Sequence, residues 1–237
     1  MCGRFAASAS VAEIVETFEI DLVVNEPQPR FNLAPTDPVP AVVERLDVGT
    51  GEAVRRLVTP RWGLVPSWSR DARSGARLIN ARSETVATKP AFRQAFARRR
   101  CLIPADGFYE WQSALDPDSG KTVKQPWFIR PRSHGLLVMA GVYEFWKDRN
   151  DPAGDWLTTC AVITTAATDA LGALHDRMPM VVRSDRWDAW LDPQETDPQL
   201  ALGLLDVDSG DQVDLYPVSR AVNSVRHDGA ELVQPLA

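Results

Sequence analysis

The sequence predicts a mixed α/β (α+β) fold, with a mostly antiparallel β-sheet or barrel core and flanking helices, in a single domain spanning residues 1–237. Three observations carry that prediction. Short strand-like runs rich in β-branched residues intermix with amphipathic helical runs, but without the regular spacing of βαβ units. No internal repeat and no glycine-rich phosphate loop interrupts the pattern. No linker is long enough to divide the chain: the polar stretches Asp116–Lys124 and Asp148–Asp155 are hairpin-like loops. With 237 residues, 44% of them apolar, the chain can bury a sizeable core.

The elements follow in order. Ser10-Val-Ala-Glu13 has capping-box spacing, and Val11, Ile14, Val15 and Phe18 recur at helical intervals, so a helix is expected over about 11–19. Glu26 to Pro40 holds five prolines and reads as an irregular stretch. Strands are expected at Ala41–Leu46, Val54–Thr59, Trp127–Arg130, Leu136–Tyr143 and Thr158–Thr164. Pro90–Arg100 reads as a second helix with Phe92 and Phe96 on one face. Short helices are expected at Asp169–Leu174 and Arg186–Leu191. A further helix starts at Thr196-Asp-Pro-Gln199, where Gln199 is spaced to close a capping box.

Composition excludes several classes. No apolar run approaches 18 residues and the N-terminus lacks an apolar core segment, so neither a membrane span nor a signal peptide is expected. Cys2, Cys101 and Cys160 are too widely spaced for a disulfide framework or a zinc ligand set. A reduced, cytoplasmic protein with no metal or cofactor follows, with Cys101 and Cys160 buried in apolar runs. The net charge of −6 argues against a nonspecific nucleic-acid binder, but its distribution is uneven. Arg55–Pro104 carries 12 basic residues against 2 acidic, and Asp185 to the end carries 11 acidic against 3 basic. That asymmetry predicts one strongly positive surface on an acidic protein. Arginine outnumbers lysine 22 to 4, which suits bidentate phosphate contacts as well as a GC-rich genome.

Several residues could carry chemistry. Cys2 becomes N-terminal if Met1 is removed, and it then offers an α-amine of pKa about 7.7–8.0 beside a thiol. The amine can form a Schiff base with an aldehyde, and the thiol can close a five-membered thiazolidine on the same carbon. The alternative is a small residue behind an initiator methionine. Glu110, among the aromatic residues of Phe108-Tyr-Glu-Trp111, is either a desolvated proton shuttle or a structural carboxylate. His175, in His175-Asp-Arg-Met-Pro179, is either reactive or a helix cap. Asn80, in Asn80-Ala-Arg-Ser-Glu-Thr85, is either a ligand to substrate or a turn residue. Trp62 and Trp68 are core or rim aromatics, or stack on bases. His134 and His227 stand in loop-like contexts and carry no assigned role.

Taken together these stretches resemble the SOS response-associated peptidase (SRAP) family, whose members crosslink to abasic sites in single-stranded DNA. The resemblance runs through Met1-Cys-Gly-Arg4, Arg30-Phe-Asn-Leu-Ala-Pro35, Arg61-Trp-Gly-Leu-Val-Pro-Ser-Trp68 and Asn80-Ala-Arg-Ser-Glu-Thr85. It continues through Arg100-Cys-Leu-Ile-Pro104, Gly107-Phe-Tyr-Glu-Trp111, Ala140-Gly-Val-Tyr-Glu144 and His175-Asp-Arg-Met-Pro179. The pieces occur in sequence order from residue 1 to about 225. The family's cysteine, asparagine, glutamate and histidine fall on Cys2, Asn80, Glu110 and His175. The acidic stretch 192–211 belongs to no recognised motif.

The resemblance implies that Cys2 forms a thiazolidine with the ring-opened sugar, Glu110 moves protons, Asn80 holds the sugar and adduct, and His175 acts on the sugar or its leaving group. It implies that Arg4, Arg82 and Arg177 hold phosphates, and that Trp68 and the Pro35 turn stack or wedge against flanking bases. The expected partner is single-stranded DNA containing abasic sites, engaged by a cytoplasmic monomer that associates with the nucleoid during DNA damage. Two other readings stand beside it: a cysteine (auto)peptidase with Cys2 as nucleophile and His175 as base, and a noncovalent single-strand-binding module.

Overall fold

The computed structural model describes residues 2–115, 120–151, 153–205 and 213–236. The chain first forms β1 (Phe5–Ala7), α1 (Val11–Phe18), β2 (Leu22–Val23), β3 (Arg30–Leu33), β4 (Ala41–Leu46), β5 (Ala53–Val58) and β6 (Arg61–Trp62). Next come β7 (Asn80–Arg82), α2 (Ser83–Val86), α3 (Arg93–Arg98), β8 (Arg100–Ala105), β9 (Gly107–Leu115), β10 (Thr122–Pro131) and β11 (Leu137–Trp146). The last elements are β12 (Leu157–Ala166), α4 (Asp169–Gly172), β13 (Arg177–Pro179), α5 (Trp187–Leu191), α6 (Pro198–Gly203) and β14 (Val213–Pro217).

These strands form two sheets, not a barrel. One is five-stranded in the order β14-β10-β9-β1-β3. The other is nine-stranded, with a main path β13-β12-β11-β8-β4-β5-β2 and with β6 and β7 both joined to β12. Among the described residues each path ends in open edges, so the barrel alternative is replaced by a two-sheet sandwich. Pairing is antiparallel except at β6–β12, β7–β12 and β2–β5.

Strand alternation sorts the side chains into three apolar layers. Between the sheets, Cys2, Phe5, Leu33, Phe108 and Ile129 meet Val43, Ile103, Met139, Tyr143 and Val162. On the far face of the larger sheet, Val42, Leu102, Ala140 and Ile163 pack against Ile14, Phe18, Phe96 and Trp190 from the helices. On the outer face of the smaller sheet, Ala6, Tyr109 and Phe128 are covered by Val218, Val222 and Leu232. Burial of this much apolar surface is the main stabilising term. No helix among the described residues is long and apolar enough to cross a membrane.

Several elements depart from the sequence reading for identifiable reasons. Glu26–Pro40 is not wholly irregular: β3 occupies the proline-free window between Pro29 and Pro35 and pairs with β1. The second helix is shorter than 90–100. It ends at Arg98, because Arg100 opens the fully buried strand β8 and its guanidinium is held inside the protein. Thr122–Lys124 belongs to strand β10 instead of a loop, pairing with β9; residues 116–119 of that predicted loop lie outside the described residues. Asp197, not Thr196, caps α6 by accepting from the Gln199 N–H, with Pro198 in the first turn. Ser10 caps α1 as its spacing predicts. Part of the acidic stretch, residues 206–211, also lies outside the described residues.

Candidate functional site

Cys2 immediately precedes β1 and is fully buried in the inter-sheet layer. Asn80 begins β7, which lies parallel to β12 with Asn80 opposite Val162. From there the Asn80 Nδ2 donates to the Cys2 carbonyl at 2.8 Å. The Asn80 Oδ1 is buried and accepts no hydrogen bond among the described residues. One end of this amide therefore anchors the N-terminus, and the other is a buried acceptor of the kind that a ligand's hydroxyl satisfies.

Glu110 sits in β9 opposite Trp127 and is 4% exposed. Alternation sends Tyr109 to the outer layer and Phe108 inward, so Glu110 faces the inter-sheet side that also holds Cys2. Burial raises its pKa above the ordinary carboxylate value, and the charge of His175 partly opposes that rise. Burial likewise pushes the Cys2 thiol far up, with the Glu110 carboxylate adding to it. A thiolate is therefore disfavoured at Cys2, and a protonated acid is favoured beside it.

His175 lies between α4 and β13 with its side chain 31% exposed. Its Nδ1 accepts the Arg177 backbone N–H at 3.0 Å and lies 2.7 Å from Asp176 Oδ1. One nitrogen cannot accept from the first and donate to the second at once. The neutral ring with a proton on Nε2 suits the Arg177 contact, and the protonated ring suits Asp176.

The predicted DNA contacts divide into engaged and open groups. The Arg177 guanidinium forks onto Glu84 at 2.6 and 2.9 Å and also donates to Thr164 O at 2.5 Å. That donation from Arg177 holds the Glu84 carboxyl at about 2. Arg4 donates to Asn32 Oδ1 at 2.7 Å and to Val222 O at 2.9 Å, with its guanidinium 5.7 Å from the Trp111 ring centre. Both arginines therefore spend part of their donor set inside the protein. Arg82 is exposed at the end of β7. Trp68 is 58% exposed, on a turn that is fixed where Trp146 Nε1 donates to Ser69 O at 2.8 Å.

Two local devices hold the aromatic stretch in place. Gly63, at φ +124°, and Gly75 approach so closely that a Cβ on either would strike the other's backbone carbonyl. The Pro35 turn is tied to the same stretch, because Thr36, at φ 80°, donates its N–H to Trp62 O at 2.8 Å. Trp62 is buried, not available for stacking, and packs edge-on against Phe5 with ring centres 4.9 Å apart.

The structure thus brings Cys2, Asn80, Glu110 and His175 into one interacting set, while Trp68 and Arg82 stand at the surface. Sequence reasoning missed Asn32 and Glu84. Asn32 is fully buried and donates to Val222 O, Ser224 O and His227 O, joining β3 to the C-terminal segment. A polar residue between Phe31 and Leu33 in a motif was the available signal for Asn32. Glu84 also stood in a motif, Asn80–Thr85, but its role was hidden because its partner lies 93 positions away. Among the described residues no cluster of three or more His, Cys, Asp or Glu is arranged to hold a metal.

Known proteins resemble this chain in sequence and fold. The chain is 38% identical over 236 residues to the abasic site processing protein YoqW of Bacillus subtilis, covering 99% of each chain. It is 33% identical over 245 residues to the abasic site processing protein YedK of Escherichia coli, covering 100% of each. A crystal structure of a Bacteroides thetaiotaomicron protein shares the fold with a TM-score of 0.77 at 22% identity, over 100% of both chains. Residues 1–225 match the family model described as SOS response associated peptidase, and the chain belongs to that family.

Proposed function

We propose that this protein processes abasic sites in single-stranded DNA by forming a covalent thiazolidine at Cys2, and that residues 1–237 act in this as one domain. The single observation that carries the reading is the hydrogen bond from Asn80 to the Cys2 carbonyl. It fixes the residue whose amine and thiol would react, beside a buried acid. The names of the relatives YoqW and YedK support the substrate class.

The chemistry balances without a cofactor. Removal of Met1 frees the Cys2 amine, which adds to the C1′ aldehyde of the ring-opened sugar. The carbinolamine loses one water to give the imine, with Glu110 in its acid form protonating the departing oxygen. The Cys2 sulfur then adds to the imine carbon, and the thiol proton ends on the ring nitrogen. The buried Oδ1 of Asn80 accepts from the sugar or adduct. His175, which can hold or release a proton at Nδ1, assists opening of the sugar ring. Arg82 and the remaining donors of Arg4 and Arg177 hold phosphates, Trp68 and Pro35 pack on the flanking bases, and affinity falls with salt. Such an activity belongs where damaged DNA is found, in the cytoplasm at the nucleoid, and a monomer suffices for it.

A cysteine peptidase working through a Cys2 thiolate is disfavoured by the same burial and by the neighbouring carboxylate. The deciding experiment incubates Met1-processed protein with an oligonucleotide carrying one abasic site and resolves the product on a denaturing gel. Wild type gives an adduct whose mass is protein plus strand less one water, and Cys2→Ala gives none. An adduct of equal yield from Cys2→Ala refutes the reading.

A further inference from the structure

On the larger sheet, a cleft of about 500 Å³ opens beyond the Pro35 turn. Its working residues are Arg45, Arg56, Arg61, Tyr143, Phe145 and Trp156, and no aspartate or glutamate lines it among the described residues. In a chain of net charge −6, three arginines without one lining carboxylate form a marked local excess of positive charge. Arg45 and Arg56 make no ion pair among the described residues, unlike their neighbour Arg55, which is held by Glu44 and Asp188. The Nε atoms of Arg56 and Arg61 are buried and donate to nothing among the described residues.

The aromatic groups are as pointed as the charges. The Arg45 guanidinium lies 4.9 Å from the centre of the Phe145 ring. Trp156 is 64% exposed, and the Lys147 ammonium adds a further cation 5.6 Å from its ring centre. Cations set around the exposed Trp156 ring fit a chain of alternating phosphates and flat bases. An acidic peptide would use the charges but leave the Trp156 ring without a stacking partner.

The cleft lies on the same face of the larger sheet as the proposed reaction centre. Val43 and Arg45 on β4, Arg56 and Val58 on β5, and Tyr143 and Phe145 on β11 alternate onto the sheet face that also packs Cys2. On β12 the same face runs from Thr158, in the cleft, through Cys160 to Val162, which is the register partner of Asn80. Four strand residues at ~3.3 Å each separate the two points by ~13 Å. That is about four stacked nucleotides or fewer at ~3.4 Å per nucleotide.

We propose that this cleft is a second subsite for single-stranded DNA, in which Arg45 and Arg56 hold phosphates and Trp156 stacks on a base a few nucleotides from the abasic position. This rests on the abasic-site reading above, but its test does not require the covalent step. Reversible binding of undamaged oligothymidine about 20 nucleotides long is measured against salt for wild type, Arg45→Ala/Arg56→Ala, Arg45→Lys/Arg56→Lys and Trp156→Ala.

The double alanine variant is expected to bind about tenfold or more weakly, with the slope of log affinity against log salt reduced by about 1.4. The double lysine variant keeps the slope, which separates loss of charge from loss of fold. Trp156→Ala weakens binding about fivefold or more with the slope unchanged. Crosslinking of an abasic oligonucleotide about 3 nucleotides long with the lesion at its centre, too short to occupy both subsites, proceeds at the wild-type rate in every variant. Unchanged affinity and slope in the double alanine variant overturn the proposal. So does loss of polyglutamate binding with oligonucleotide binding intact, which would assign the cleft to an acidic protein. If no covalent adduct forms but oligonucleotide affinity depends on Arg45 and Arg56, the Cys2 mechanism fails and the cleft stands.

Discussion

Asn80→Ala isolates the contact on which the proposed chemistry rests. The substitution removes the 2.8 Å donation from Nδ2 to the Cys2 carbonyl and leaves that acceptor, in a fully buried residue, without its partner. Such a loss costs about 1–3 kcal/mol. The same change deletes the Asn80 Oδ1, a buried acceptor with no partner among the described residues, whose removal returns a similar amount. The two terms nearly cancel, so unfolding stability should move by no more than about 1 kcal/mol. Catalysis has no such compensation. The Cys2 amine loses its anchor, and misplacement of a reacting group by ~1 Å can cost ~100-fold. A fall of about 10–100-fold in single-turnover crosslinking is expected, corresponding to about 1.4–2.7 kcal/mol. Asn80→Asp should be worse, since it sets a carboxylate oxygen against the carbonyl and adds a negative charge near Glu110. The assay follows adduct formation on denaturing gels with an abasic single-stranded oligonucleotide, alongside a thermal melt. A rate for Asn80→Ala within about twofold of wild type would refute the reasoning. So would a large drop in Tm with an unchanged rate per folded molecule.

Two further outcomes test other parts of the structure. Burial raises the folded-state pKa of Glu110 above its ordinary 4.5. The stability associated with its protonated form is therefore fully present below 4.5 and is lost as pH rises through the raised folded value. Glu110→Gln should thus gain stability relative to wild type as pH climbs from 4 to 7, while crosslinking slows about 10–100-fold. Melts at several pH values, paired with adduct rates, check both signs, and a gain that shrinks with rising pH would count against a buried acid. Arg100→Met strikes the fold alone. The buried guanidinium donates to the carbonyls of Phe96, Ala97, Trp190, Asp192 and Glu195, and methionine leaves all five without that donor. A loss of about 3–5 kcal/mol is expected, lowering Tm by roughly 10 °C. Denaturant unfolding showing a loss under about 1 kcal/mol would mean that water replaces the guanidinium.

Local patterns were legible wherever a rule acts within a few residues. The Ser10 cap, the Ile14 and Phe18 face and the β4, β11 and β12 runs all follow from spacing and side-chain shape. Strands such as β7 and β13 were not legible, because each has only three residues and exists as a strand only by pairing with β12. Arg100 shows the same limit. It reads as the end of a basic helix, yet burial and five carbonyls make it the first residue of a central strand. The site divides in the same way. Cys2, Asn80, Glu110 and His175 stood out as chemical types within motifs. Glu84 and Asn32 did not, because their roles depend on partners more than 90 positions away or on the C-terminal segment.

By itself, then, the sequence determined the chemical inventory: a cysteine at position 2, one carboxylate among aromatic residues, a basic middle and an acidic end. Only the tertiary structure decided which of these groups meet. Long-range strand pairing brings β7 beside β12 and carries Asn80 to the carbonyl of Cys2, 78 positions away. It commits part of Arg4 and most of Arg177 to internal partners, and it leaves Arg45 and Arg56 in a cleft without ionic partners among the described residues. The reason is physical. Reactivity and affinity depend on dielectric surroundings and on distances of a few ångströms, and those are set by which surfaces the fold buries against one another.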